Sequence, residues 1–99
     1  RSSAASDVYK RQNLGENRVV LQKLLANCIK KQRLKMNKSI SLISAEVGMP
    51  KSMWSDMEQG KKDPQLSTLW RISEGLNMTL VELIKNASKG LPENFTLIE

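Results

Sequence analysis

Histidine is absent from these 99 residues, cysteine occurs once, and aromatic side chains make up only 4% of the chain. Each shortage removes a class of explanation. With no histidine and Cys28 alone, a metal site lacks its ordinary ligands and an intrachain disulfide cannot form, so neither is expected to hold the fold. The same shortage, together with the lack of a glycine-rich phosphate loop, argues against an enzyme. Cys28 sits among apolar residues at helical spacing and reads as core, not as a nucleophile. No cofactor is expected. No apolar run approaches the ~18 residues of a membrane span, and the N-terminus lacks a signal-type hydrophobic region, so the expected compartment is the cytosol.

What remains is enough for one small core. The hydrophobic fraction is 39% and the formal net charge is +6, and the charge is lopsided. Residues 13–62 carry ten basic and four acidic side chains, whereas residues 63–99 carry three basic and five acidic. A front half of net +6 suits a polyanion. Three stretches divide the chain: a leader at 1–12, a helical domain at 13–88, and a tail at 89–99. The leader is polar and has no helical stripe. Its Asp7-Val8-Tyr9-Lys10-Arg11-Gln12 resembles a translated sequencing adaptor, so it is set aside as non-native or disordered, and the native N-terminus is then missing. The alternative is a native basic arm.

Stripe and punctuation predict five helices. The first runs from about Glu16 to Met36 with Val20, Leu21, Leu24, Leu25, Cys28 and Ile29 on its core side, and Asn37 is its stop. The second starts at Ser39, whose hydroxyl caps it, and repeats Ile40, Ile43 and Val47 before Gly48 ends it. Pro50 opens the third, where a missing N–H costs nothing, and Gly60 closes it. Trp54 and Met57 share its inner side, turning Lys51, Ser52, Ser55 and Asp56 the other way. The fourth repeats Leu66, Leu69, Ile72 and Leu76 and stops at Asn77; the fifth begins with a Thr79 to Glu82 capping box flanked by Met78 and Leu83. Beyond it, Gly90 and Pro92 break helicity, and Phe95, Thr96, Leu97 and Ile98 favour an extended segment. Such a segment can pair with a second copy as a dimerisation strand, fold back on the bundle, or lead into a further domain.

Between Ile29 and Ile84 these features resemble the phage-repressor and Cro-like helix-turn-helix family of bacterial transcription regulators. The matching pieces are Arg33, Ile43, Val47-Gly48, Ser52, Glu58, Gly60, Pro64, Thr68-Leu69, Ile72, Leu76 and Glu82-Leu83, in order and without a gap. The resemblance implies an all-α, five-helix, lambda-repressor-like DNA-binding domain, bacterial or phage-encoded and cytoplasmic. It also implies a homodimer, because one recognition helix reads only a few base pairs. It implies that Lys51, Ser52, Ser55 and Asp56 read base edges in the major groove, lysine donating to guanine and aspartate accepting from cytosine N4. It further implies that Arg33 and Glu58 form an ion pair between the first and third helices, and that the loop holding Lys61 and Lys62 follows the phosphate backbone.

Two departures stand out. Ile40 occupies a position where the family usually has a glutamine on a phosphate, leaving Lys38 or Ser39 to make that contact. Trp54 and Trp70 exceed the usual aliphatic residues, and both read as bulky packing with the indole N–H near the surface. The expected function is a sequence-specific double-stranded DNA-binding regulator, most simply a repressor. The alternative is an antitoxin-type interaction protein that binds a toxin partner and autoregulates its operator.

Overall fold

The computed structural model describes the backbone of residues 3–98 and the side chains of residues 16–98. Five helices follow one another: α1 (Ser3–Lys35), α2 (Ile40–Glu46), α3 (Lys51–Glu58), α4 (Leu66–Gly75) and α5 (Leu80–Ser88). No strand occurs among the described residues. Helix α1 begins earlier than the Glu16 start predicted from its apolar stripe. Arg1, Ser2 and the side chains of residues 3–15, which include all those of the leader, lie outside the described residues.

Helices of seven to ten residues, such as α2 to α5, do not persist alone in water, so each depends on what its inner face buries. Ile29, Ile43, Trp54, Ile72, Leu76 and Leu83 are each 0% exposed and meet Leu25, Met49, Met57 and Ala87 in one cluster. Full burial of one such aliphatic side chain stabilises by ~1.5–3 kcal/mol, more than the few tenths per residue that separate helix propensities. Helix α1 lays its C-terminal half across both α3 and α5. At the C-terminal end of α4 the chains come closest: a Cβ on Gly75 would overlap Val47 of α2.

Left-handed backbone stops the helices where the sequence predicts. Asn37 (φ 56°), Gly48 (φ 68°), Gly60 (φ 71°) and Asn77 (φ 58°) all turn the chain. Asparagine and glycine are the residues that adopt this region at least cost. Ser39 Oγ accepts from the Leu42 N–H at 3.0 Å, capping α2. At α5 the capping box closes both ways: Thr79 Oγ1 accepts from the Glu82 N–H at 3.0 Å, and Glu82 Oε1 accepts from the Thr79 N–H at 2.9 Å.

Three readings of side-chain placement are corrected. Val20 is 39% exposed and Leu66 is 69% exposed; each begins a stripe before its helix has met the bundle. Trp70, read as packing, is 57% exposed. It lies two residues from the buried Ile72, ~200° round the helix, and so faces away from the core. The tail forms no strand within the chain. It returns along α1, where Asn17 Nδ2 donates to the Thr96 carbonyl at 2.9 Å.

Two outcomes follow. A Cβ at Gly48 meets nothing within 4 Å, so only its positive φ opposes a side chain there. Gly48→Ala should lower unfolding free energy by about 1 kcal/mol and Gly48→Asn by less, as read by urea titration. At α5, hydrogen bonds from the Thr79 N–H and hydroxyl hold the Glu82 carboxyl below its ordinary pKa. A carboxylate depressed in the folded state contributes stability that is complete above its unfolded pKa and is lost as pH falls through the folded value. The Thr79 amide resonance should therefore move at a pH below the ordinary glutamate range, and Glu82→Gln should flatten that titration.

Candidate nucleic-acid interface

The arrangement is built from Arg33 outward. Late in α1, with 8% of its surface exposed, this guanidinium has lost most of its water and must find acceptors inside the protein. Its Nε donates to Glu58 Oε2 at 2.5 Å and its Nη2 to Glu58 Oε1 at 2.9 Å, a two-pronged contact between α1 and the end of α3. The remaining prong, Nη1, donates to the Lys38 carbonyl at 2.9 Å, just before α2 begins. One planar side chain thus fixes the start of α2 and the end of α3 relative to α1. Pairing with Glu58 raises the Arg33 pKa above its ordinary value, against the opposing effect of burial.

Trp54 completes the cluster. It is fully buried, not placed with its indole N–H near the surface. That N–H instead donates to Glu58 Oε2 at 2.6 Å. The two residues stand four apart on α3 and so share a face. That spacing was visible in the sequence, and it is the signal that places a buried indole donor beside a buried carboxylate. Every buried side-chain nitrogen and oxygen among the described residues has a hydrogen-bond partner.

With its inner face and C-terminal end held, α3 presents the other flank to solvent. Lys51 and Ser52 are exposed, and Ser55 and Asp56 are half-buried. Ser55 Oγ lies 2.8 Å from Gln59 Nε2, which donates to it. Ser52 and Asp56 line one shallow groove with Lys62, which enters from the loop after α3. Met53, 37% exposed, lines the same groove and was missed by the sequence reading. An apolar residue beside Ser52 on the outer flank was the available signal. Lys61 is exposed outside that groove.

Lys38 and Ser39 sit apart from this group, at the entry to α2. The Ser39 hydroxyl already accepts the Leu42 N–H, which leaves its own hydrogen free to donate. Lys38 turns away towards the far end of α2, where its Nζ lies 2.7 Å from Glu46 Oε1. It lines a second groove with Arg71 and Glu74. Cys28 is half-buried, and burial pushes its thiol pKa up, which disfavours the thiolate.

Two short helices joined at a left-handed glycine, clamped on a longer helix and closed by two more, define a class of small all-α domain. A family model described as helix-turn-helix matches residues 29–83, more than half of the chain, and the chain belongs to that family. It is 28% identical over 72 residues to the HTH-type transcriptional regulator SutR of Escherichia coli (strain K12), covering 73% of this chain and 40% of that protein. Among solved structures it is similar to an HTH_3 family transcriptional regulator from Vibrio cholerae, with a TM-score of 0.65 and 28% identity, over 70% of this chain and 39% of that one. The chain therefore spans about two-fifths of the length of either relative.

The buried pair generates a stability prediction. The side chains of Arg33 and Glu58 are 9% and 5% exposed, so Glu58→Ala strands a desolvated guanidinium and should cost about 3–5 kcal/mol in chemical unfolding. The double variant Arg33→Met with Glu58→Leu should recover much of that loss, because apolar residues of similar volume replace a buried pair at little net cost.

Proposed function

We propose that this domain binds double-stranded DNA in a sequence-specific manner and regulates transcription, acting as a repressor, with α3 in the major groove. The observation that carries the reading is the free polar flank of a helix whose inner face and C-terminal end are clamped by Arg33, Glu58 and Trp54. Free side chains on a rigidly held short helix meet base edges in one register, whereas the same residues on a mobile helix would not discriminate. The family supports it, and both relatives named above are transcriptional regulators.

In this reading Lys51 donates to guanine, Ser52 and Ser55 adapt to neighbouring edges, and Asp56 accepts from cytosine. The exposed Met53 adds an apolar contact suited to a thymine methyl group. Lys61 and Lys62 follow the phosphates, and the Ser39 hydroxyl donates to a phosphate while still capping α2. Lys38 joins them by exchanging Glu46 for phosphate. Two copies bind a two-fold site, since one such helix reads too few base pairs to find a unique operator. The exposed Leu66 and Trp70 on α4 (69% and 57% exposed) offer apolar area for that association.

Selection of binding sites from random duplexes, repeated over a range of salt concentrations, tests the reading. A two-fold motif is expected. Lys51→Ala or Ser52→Ala should lose about 1–3 kcal/mol of discrimination at one or two base pairs with little change in melting temperature. Lys61→Ala or Lys62→Ala should weaken all sequences alike and flatten the slope of log K against log salt by about one unit. Equal affinity for every duplex would overturn sequence-specific regulation.

A further inference from the structure

A cavity of about 300 Å³ lies on the side of the bundle where α1, the loop after α3, α4, α5 and the returning tail meet. Its walls are Leu21 and Leu25 of α1, Leu69 of α4, Ile84 and Ala87 of α5, and Leu97 of the tail. The pocket opens to solvent, and an apolar group of the right size that displaced water from its aliphatic walls would be favourably buried. The volume stands at the lower end of the range for small-molecule sites. It therefore limits the occupant to a compact ligand.

The polar residues around it have opposite signs. Arg18 and Gln22 stand one turn apart on the same face of α1 and supply donors, while Asp63 and Ser88 supply acceptors from the loop and from α5. Arg18 and Asp63 are exposed, so their charged ends lie at the solvent side of an apolar pocket. Neither forms an ion pair among the described residues. The Ser88 hydroxyl donates to the Ile84 carbonyl at 2.8 Å, which leaves its oxygen to accept. A simple carboxylic acid would gain Arg18 but sit against Asp63, and a simple amine would meet the reverse problem. A molecule carrying both charges on one end and an apolar group on the other satisfies every part of the lining.

We infer that this cavity is a binding site for a small apolar amino acid in its zwitterionic form. The carboxylate lies on Arg18 and Gln22, the ammonium on Asp63 and Ser88, and the side chain among the aliphatic walls. Entry is over the tail, where Leu97 is 49% exposed and, among the described residues, one side-chain hydrogen bond, from Asn17 to the Thr96 carbonyl, ties the segment to α1.

The test is calorimetric titration of L-phenylalanine, L-leucine and L-methionine into the full chain without DNA, so its result is independent of the reading above. Beside them go 3-phenylpropionate, which lacks the ammonium, and 2-phenylethylamine, which lacks the carboxylate. At least one amino acid should bind saturably at one site per chain and raise the melting temperature. Both phenyl analogues should bind at least tenfold more weakly than L-phenylalanine. Arg18→Gln and Asp63→Asn, both at exposed positions that leave the core intact, should each weaken binding at least tenfold. Ala87→Leu, which fills the void, should abolish it. If Ala87→Leu fails to give a native circular dichroism spectrum, the two exposed variants decide. No saturable heat with any of the three amino acids would overturn the inference, as would analogues that match phenylalanine or exposed variants that bind like the parent.

Discussion

The three donated hydrogen bonds of Arg33 are what the geometry of this domain depends on. Apolar burial is roughly proportional to area and has no direction, so a core of leucine and isoleucine can hold α2 and α3 against α1 without fixing their angles. A planar guanidinium with acceptors at fixed bearings does fix them. Two of its bonds end on Glu58 of α3 and one on the Lys38 carbonyl at the entry to α2. Trp54 narrows the choice further by occupying the other side of the Glu58 Oε2 oxygen. A buried ion pair is weak evidence for net stability, because desolvation of two charges offsets most of their attraction. Its role in this chain is orientation, with stability supplied by the surrounding apolar cluster.

That division of labour explains the placement of glycine. Gly48 turns the chain between α2 and α3 through a left-handed backbone that a side chain would disfavour. Gly75 lets α2 approach α4 so closely that Val47 occupies the space where a Cβ would stand. Helix α2 packs chiefly on α3, and α3 is held by the turn at Gly48 and by the Arg33–Glu58 clamp.

Much of this was legible in the sequence because the relevant signals are local. Asn37, Gly48, Gly60 and Asn77 mark left-handed stops, Ser39 and Thr79 mark caps, and 3.6-residue periodicity marks Ile29, Ile43, Ile72, Leu76 and Leu83 as core. The errors arose where the answer depends on a neighbour that the stripe does not name. Leu66 satisfies its stripe but precedes the point where α4 meets the bundle. Trp70 was read by residue type against its own angular position. For Trp54 the sequence predicts the packing but puts the indole N–H near the surface, because a lone indole N–H prefers water, and only the packing shows that Glu58 replaces that water. The polar residue types of the outer flank of α3 are legible in the sequence as the side opposite Trp54 and Met57. Their grouping is not, because which lysines converge is a property of loop geometry.

The basic side chains are consequently not equivalent, and counting charge overstates what is available to a polyanion. Arg33 contributes to the positive total but is committed inside the protein, with its donors shared between a carboxylate and a carbonyl. Lys38 is intermediate: its partner Glu46 is 42% exposed, and an exposed pair of this kind is worth about 0–1 kcal/mol. A phosphate can therefore take its place at little cost. Lys51, Lys61 and Lys62 have no ion-pair partner among the described residues. Their exposed ammonium groups keep full hydration until a ligand displaces it, so they need no rearrangement to meet one. In the proposed complex, sequence discrimination would fall to the short-armed residues of α3, since Ser52, Ser55 and Asp56 would reach base edges only with the helix at one depth and angle. The clamp imposes that angle from inside, where salt does not screen it, while the outer lysines supply an attraction that salt does screen.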